Sequence, residues 1–240
     1  MNARVKRRFD GSFLGWWVAA CVLSLTFGAP LGVVIGERVG FPLGEALNDA
    51  LRVPEVARSA VSSGMAGLLD GVVPALFASL AQWLVLSQYL RRASGWLLAS
   101  FMFPAVLPAL SSFAAAIAPA IANIQIEPLA FLVLGSCIVR PLDGLLTGVL
   151  EWIVLRGATP RAPWWLLTSV AIQIGLAVVQ APLNMLCVAN SWDLLRYACN
   201  GGTAFLWSTF FGFVSGLALL WLFSGIEPAF PTTTERTSSA

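Results

Sequence analysis

The sequence predicts an all-α integral membrane protein, a six-helix bundle built from repeated helical hairpins with both termini in the cytoplasm. Three observations predict this fold. Of 240 residues, 58% are hydrophobic and only 11% are charged, whereas soluble domains carry about 25% charged residues. The chain contains six apolar runs of membrane-spanning length, and a nineteen-residue pattern occurs twice in it. Because a water-soluble surface needs more charge, lipid is the expected solvent for most of the chain.

Six segments approach the roughly 20 apolar residues that cross the hydrocarbon core of a bilayer. Together they define a transmembrane domain over residues 13–224, between a basic cytoplasmic N-terminus at 1–12 and a disordered cytoplasmic tail at 225–240. The fourth run is the least regular, because charged residues interrupt it. The predicted spans are residues 13–35, about 61–86, 96–118, 129–155, 164 to about 188, and about 203–223.

Lysine and arginine residues set the expected orientation, because they accumulate in the connections on the cytoplasmic side. With a cytoplasmic N-terminus, nine of them lie inside and four outside. The chain is therefore expected in the cytoplasmic (inner) membrane. The inside set is Arg4, Lys6, Arg7, Arg8, Arg91, Arg92, Arg156, Arg161 and Arg236, and the outside set is Arg38, Arg52, Arg58 and Arg196.

Tryptophans cluster near the ends of the predicted spans on the cytoplasmic side. This distribution is typical of residues that anchor a membrane protein at the headgroup level, and we interpret them as anchors. They are Trp16, Trp17, Trp83, Trp96, Trp152, Trp164, Trp165 and Trp221.

A short amphipathic helix is predicted at about residues 43–53, between the first two spans. Apolar residues recur there at helical spacing with Glu45, Asp49 and Arg52 between them, and Pro54 ends the pattern. We expect this helix to lie on the outer membrane surface.

The repeat pairs residues 82–100 with residues 151–169 at an offset of 69, and nine of the nineteen aligned positions are identical. Each copy ends one apolar run, forms a basic turn and starts the next run, as a helical hairpin does. A degenerate third copy occurs in the last span. Each copy places small residues four positions apart on a helix that runs inward, and this spacing predicts close helix packing. They are Ala75 and Ser79 in the first copy, Gly144 and Gly148 in the second, and Gly212 and Gly216 in the third.

This pattern resembles a group of uncharacterised bacterial multi-pass membrane proteins with repeated GxxxGxxQWxVLR helical hairpins. The resemblance covers about residues 75–169, and the second copy departs from it by having Glu151 where the pattern has glutamine. The resemblance implies the hairpin architecture and a bacterial source, and it implies no activity. The residues that carry it are Gln82, Trp83, Leu86, Arg92 and Trp96 in the first copy, and Gly144, Gly148, Glu151, Trp152, Leu155, Arg156 and Trp165 in the second.

Polar side chains within the predicted spans form the candidate site. A charge near the bilayer centre is unfavourable by about 2.5–3.5 kcal/mol on insertion scales, so it should pair or face the bundle interior. Arg140 and Asp143 are three residues apart and can pair directly, and the repeat sets Asp70 at nearly the depth of Arg140. We expect Arg140 to be buried and hydrogen-bonded to one of these carboxylates. The complete cluster is Asp70, Arg140, Asp143, Glu151, Gln82, Gln173, Gln180 and Asn184.

Composition also limits the chemistry. The chain has no histidine, the commonest general base and metal ligand, and it has no P-loop or nucleophile elbow. We therefore expect no catalytic, cofactor-binding or metal-binding residues. A net charge of +2 is too small for nucleic-acid binding. The expected partners are the lipid bilayer and other membrane subunits or further copies of the chain.

Two functions stay open. The first is a structural or accessory membrane protein, such as a subunit of a larger complex, because the loops are short and the repeats favour close packing. The second is a small transporter or channel that uses the cluster of Asp70, Arg140 and Asp143. A membrane enzyme is a third and weaker alternative. A buried cluster without a connected cavity favours the first function, and a water-accessible funnel favours the second.

Overall fold

The chain folds into α-helices throughout the residues that the structure describes, which confirms the predicted all-α class. The computed structural model describes residues 7–91, 93–122, 138–188, 193–224 and 226, and their side chains except at 118–122, 179–188 and 193–201. Within these limits there are six continuous helices, the first of which combines three segments. The segments are α1 (Gly11–Ile35), a π-helical turn (Gly36–Gly40), α2 (Phe41–Leu51), α3 (Glu55–Tyr89), α4 (Ser94–Ala122), α5 (Arg140–Leu155), α6 (Trp164–Val188) and α7 (Asp193–Phe223).

Four of these helices are long and apolar enough to cross a membrane, which makes the chain a multi-pass membrane protein. They are Gly11–Leu51, Glu55–Tyr89, Ser94–Ile117 and Gly202–Phe223. The other two predicted spans are described only in part. The apolar stretch of α6 is Trp164–Val178, and residues 129–137, which precede α5, lie outside the described residues. The predicted tail also lies outside them, apart from residue 226.

The first helix begins at Gly11 because Asp10 caps it. Asp10 Oδ1 accepts hydrogen bonds from the backbone N–H groups of Ser12 (3.0 Å) and Phe13 (3.2 Å), two of the groups that a first helical turn leaves unpaired. Hydrogen bonds from the Ser12 hydroxyl and from these amides lower the pKa of the Asp10 carboxyl. The helix therefore starts two residues before the predicted span.

The second segment, α2, continues α1 through the π-helical turn. The combined helix has 41 residues and is about 60 Å long at 1.5 Å per residue, twice the hydrocarbon thickness of about 30 Å. The Asn48 side chain donates hydrogen bonds to the Arg58 carbonyl (2.9 Å) and to Ser62 Oγ (3.0 Å) on α3. The helix predicted at 43–53 thus lies at Phe41–Leu51, joined to α1 and packed along α3, and is not a separate surface helix.

A series of glycines, which we call the glycine ladder, lets α1 and α2 approach the backbone of α3. A Cβ at Gly32 would lie 2.6 Å from the Asp70 carbonyl oxygen, and one at Gly40 would lie 2.6 Å from Ala66 Cα. No side chain fits at such distances. Direct backbone contact of this kind drives helix association in lipid. The ladder was not predicted from the sequence, and its members are Gly28, Gly32, Gly36, Gly40 and Gly44.

The six helices form a closed ring in chain order. Each long helix packs against the helices before and after it, and α7 returns to pack against α1. Large side chains fill the core where α1, α4 and α6 begin, an end of the bundle that we call the tryptophan end. Its buried side chains include Phe13, Trp17, Leu86, Trp96, Leu155, Trp165, Leu219 and Leu222.

Candidate functional site

Gln82 lies in the core near the tryptophan end and connects three helices. Its Oε1 accepts a hydrogen bond from Trp96 Nε1 of α4 (3.2 Å). Its Nε2 donates to Cys21 Sγ of α1 at 3.6 Å. Both ends of the amide therefore bind neighbouring helices, and the side chain is only 4% exposed.

Glu151 makes an analogous connection from α5. Its Oε2 accepts a hydrogen bond from Trp165 Nε1 of α6 (2.7 Å), and its Oε1 accepts one from Ser100 Oγ of α4 (2.6 Å). The side chain is 6% exposed. Both oxygens of this buried carboxyl group therefore have a donor on a neighbouring helix, as buried polar groups require.

A third tryptophan joins the last helix to the first. Trp17 Nε1 of α1 donates a hydrogen bond to Ser215 Oγ of α7 at 2.9 Å. The Trp96 ring lies between the Trp17 ring (centroids 6.0 Å apart) and the Trp165 ring (5.7 Å). These tryptophans and their hydrogen-bond partners form one layer across the bundle. We call it the polar layer, and its members are Trp17, Cys21, Gln82, Trp96, Ser100, Glu151, Trp165 and Ser215.

The interpretation of the tryptophans as interfacial anchors is wrong for this layer. Trp17, Trp96 and Trp165 are buried among the helices, whereas Trp16 and Trp164 are mostly exposed. Neighbouring tryptophans in the sequence therefore have different environments. The buried ones are stabilised by acceptors on adjacent helices, which a one-dimensional pattern does not reveal.

Asp70 of α3 and Asp143 of α5 each lie within electrostatic range of Arg140 on α5. The Arg140 guanidinium carbon is 5.9 Å from the centre of the Trp207 ring on α7. Asp143 is buried, and its Oδ1 accepts a hydrogen bond from the Thr147 hydroxyl (3.1 Å). The expected hydrogen bond between Arg140 and a carboxylate stays a prediction.

An open groove of about 500 Å³ reaches Asp70 between α1, α3 and α4. Glu37 of the π-helical turn adds a second carboxylate to its lining. Carboxylate and hydroxyl oxygens are ligands that hard cations prefer. The polar lining residues are Glu37, Ser63, Asp70, Ser111 and Ser112.

Two glycines of the repeat lie where α5 meets α6. A Cβ at Gly144 would be 2.8 Å from the Ser169 carbonyl oxygen and 2.9 Å from Gln173 Cγ, and one at Gly148 would be 2.9 Å from Ser169 Cβ. Gln173 thus faces the small-residue stripe of α5. The side chains of two further residues of the predicted cluster lie outside the described set: Gln180 and Asn184.

The corresponding glycines of the last helix lie against α1. A Cβ at Gly212 would be 2.9 Å from Cys21 Cβ, and one at Gly216 would be 2.9 Å from Trp17 Cδ1. These contacts adjoin the hydrogen bond between Trp17 and Ser215. Close packing and the polar layer therefore act together where α7 closes the ring.

No three cysteine, aspartate or glutamate side chains come together to hold a metal ion in the described part of the chain. The carboxylates of the candidate site instead bond to hydroxyl or indole groups or line the groove. What this arrangement can do is fix helix positions and, at the groove, offer oxygen ligands to a small solute.

Helix length and hydropathy identify the class of the chain as a multi-pass membrane protein. Comparisons with protein-family models, curated proteins and solved structures found no match.

Three members of the polar layer were not predicted from the sequence: Cys21, Ser100 and Ser215. Cys21 and Ser100 each lie four residues after the tryptophan of the same helix, so one helical turn separates them. The same spacing after Trp17 and Trp96 could have indicated that Cys21 and Ser100 face the same side of their helices as the tryptophans. Ser215 carried no comparable signal, because its role depends on the closure of the ring.

Proposed function

We propose that the chain is a structural or accessory membrane protein, a subunit that contributes a rigid shape to a larger membrane assembly. The observation that carries this proposal is the polar layer. Gln82 and Glu151 direct their hydrogen bonds to other helices of the same chain. Their polar atoms are thereby used to fix helix positions.

The distribution of these bonds around the ring supports a structural role. They cross five of the six contacts between neighbouring helices in the ring, leaving only that between α6 and α7. Interhelical hydrogen bonds in membranes contribute about 0.6–2 kcal/mol each. Distributed this evenly, they stabilise the whole ring in one arrangement.

The proposal includes the finer topology. All six helices span the cytoplasmic membrane of a bacterium, and both termini lie inside. The excess of arginine and lysine in the inner turns supports this orientation, and the resemblance to repeated-hairpin membrane proteins supports the architecture.

Light scattering on protein extracted from its native membrane in a mild detergent tests the accessory role. We expect a protein mass well above the 25.6 kDa of one chain. Glu151→Leu should lose the assembly, whereas Arg156→Gln, at an exposed position, should keep it. A wild-type chain that runs as a single copy in every mild detergent contradicts the proposal.

The groove at Asp70 favours a second candidate, a path for a small cation or polar solute. It is open to the surface and carries two carboxylates and three hydroxyl groups, and it reaches a residue within electrostatic range of Arg140. A funnel of this kind is what a transporter or channel needs.

Flux measurements in liposomes separate the two candidates. A path through the groove predicts cation flux that Asp70→Asn abolishes and that Glu45→Gln, an exposed change on α2, leaves intact. Flux that is absent, or is equal in wild type and Asp70→Asn, rejects the path. Neither result affects the mass test of the accessory role.

A further inference from the structure

The turn between α5 and α6 carries an arginine that contacts with α7 hold in place. Arg161 Nη1 donates hydrogen bonds to the Trp221 carbonyl (2.9 Å) and to Ser224 Oγ (2.8 Å). Its guanidinium carbon lies 5.2 Å from the centre of the Trp221 ring. The side chain is therefore fixed at the C-terminal end of α7, where a cation also stabilises the unpaired carbonyl groups.

Held in this way, Arg161 keeps two donors available. Among the described residues, none accepts a hydrogen bond from its Nε or Nη2, and no carboxylate forms an ion pair with it. These two N–H groups form the planar fork that binds two oxygens of a phosphate. Because the side chain is already ordered, less rotamer freedom is lost on binding.

Two indole rings complete the surroundings of this fork. Trp164 and Trp221 pack edge to face with centroids 6.2 Å apart. They are 56% and 50% exposed, and their N–H groups have no acceptor among the residues described. Half-exposed tryptophans at the ends of membrane helices are typical of the headgroup level, where the ring contacts lipid and the N–H contacts polar groups.

The surface below the two rings, toward the middle of the bilayer, is apolar. Leu167 follows Trp164 by about one turn of α6, and Leu217 precedes Trp221 by one turn of α7; both leucines are exposed. The Arg161 guanidinium and the two indole N–H groups thus lie above an apolar surface. A phospholipid has the matching arrangement, with its phosphate above its acyl chains.

We propose that Arg161, Trp164 and Trp221 bind the phosphate of an anionic phospholipid whose acyl chains lie against Leu167 and Leu217. The occupant is a lipid of the surrounding bilayer and not a soluble anion, because the apolar surface continues directly from the fork. Anionic headgroups also complement a guanidinium that lacks a protein carboxylate.

Native mass spectrometry of the detergent-purified chain tests this site. The protein is equilibrated with equal amounts of phosphatidylglycerol and phosphatidylcholine of matched chain length, and the retained lipids are counted. We expect wild type to prefer phosphatidylglycerol. Arg161→Gln should lower that preference about tenfold more than Arg156→Gln, because it removes charge-assisted hydrogen bonds as well as charge. Arg156 is the matched control, since it is exposed on the same turn and lies over the Trp152 ring at 5.8 Å.

Two further measurements distinguish the shape of the Arg161 side chain from its charge, and a bound lipid from a bound free phosphate. Arg161→Lys keeps the positive charge but loses the planar pair of N–H donors, so it should retain less phosphatidylglycerol than wild type. This variant replaces Arg161→Gln as the test if Arg161→Gln does not fold. Inorganic phosphate at millimolar concentration should not displace the lipid. The site is disproved by equal losses in Arg161→Gln and Arg156→Gln, by wild-type retention in Arg161→Lys, or by competition from inorganic phosphate.

Discussion

Positions 82 and 151 have the same structural role with different chemical groups. Gln82 accepts an indole N–H with its oxygen and donates its amide to a sulfur, whereas Glu151 accepts two hydrogen bonds. An indole N–H can only donate, but the Ser100 hydroxyl can donate or accept. An amide at position 151 therefore fits if its oxygen faces Trp165 and its NH₂ group faces Ser100.

Replacing Glu151 tests whether the charge or only the hydrogen bonds are needed. Glu151→Gln should change the unfolding free energy by less than about 1 kcal/mol, because both neighbours keep a partner. Glu151→Leu should lower it by about 2–4 kcal/mol, because it leaves a buried indole N–H and a hydroxyl unpaired. Reversible unfolding in mixed detergent micelles measures both changes. Equal destabilisation by glutamine and leucine would show that the negative charge itself is required.

The pairing of Arg140 is a separate prediction at the residue scale. Asp143 is buried on the same helix, within electrostatic range of the guanidinium. Arg140→Ala should destabilise the chain by up to about 3 kcal/mol, because it leaves a buried carboxylate without its cation. Combining it with Asp143→Asn should restore part of that loss, and a double-mutant cycle on the unfolding free energy measures the coupling. A double variant no more stable than Arg140→Ala contradicts the pairing.

At the scale of elements, the glycine ladder determines how closely the first continuous helix approaches α3. A Cβ at Gly40 would lie 2.6 Å from the backbone of Ala66, whereas one at Gly15 in the same helix has nothing within 4 Å. Gly40→Ala should therefore lower the unfolding free energy by about 1–3 kcal/mol through overpacking. Gly15→Ala should be neutral or stabilising by up to about 1 kcal/mol, because alanine favours helix. The same unfolding assay compares them, and a Gly40→Ala variant as stable as Gly15→Ala would mean that the helices are not in backbone contact.

Local periodicity predicted the helices of this chain better than their contacts. The apolar runs placed the ends of α1, α3 and α4 to within six residues, because hydrocarbon burial leaves a direct signal in composition. The continuation of α1 into α2 was missed, since polar residues such as Glu45 suggested a separate surface helix, whereas the glycines of the ladder pack on α3. The partners of Trp17 and Trp96 depend on which helices become neighbours, and that information is absent from any single segment.

At the scale of the whole molecule, the ring is closed by contacts between the two ends of the chain. Phe9 stacks on Phe223 with ring centroids 4.2 Å apart, close to the hydrogen bond between Trp17 and Ser215. These contacts join residues about 200 positions apart in the sequence, so forming them costs the loop-closure entropy of the intervening chain unless its helices are assembled. The stability of the tryptophan end therefore depends on the complete chain, whereas the contact between α2 and α3 is local.

The orientation of the ring predicts that Ala50 and Arg156 lie on opposite sides of the membrane. The helix Gly11–Leu51 is about twice as long as the hydrocarbon core is thick, so Ala50 should emerge on the side opposite to Gly11. Three further crossings should return the chain to the first side at Arg156, where the positive-inside rule places the cytoplasm. In a background with Cys137, Cys187 and Cys199 changed to serine, Cys21 can remain because it is fully buried. A membrane-impermeant maleimide should then label Ala50→Cys in intact spheroplasts and Arg156→Cys only in inverted vesicles, with labelling of both after solubilisation as the control. Labelling of both positions from the same side would contradict the three crossings predicted between them.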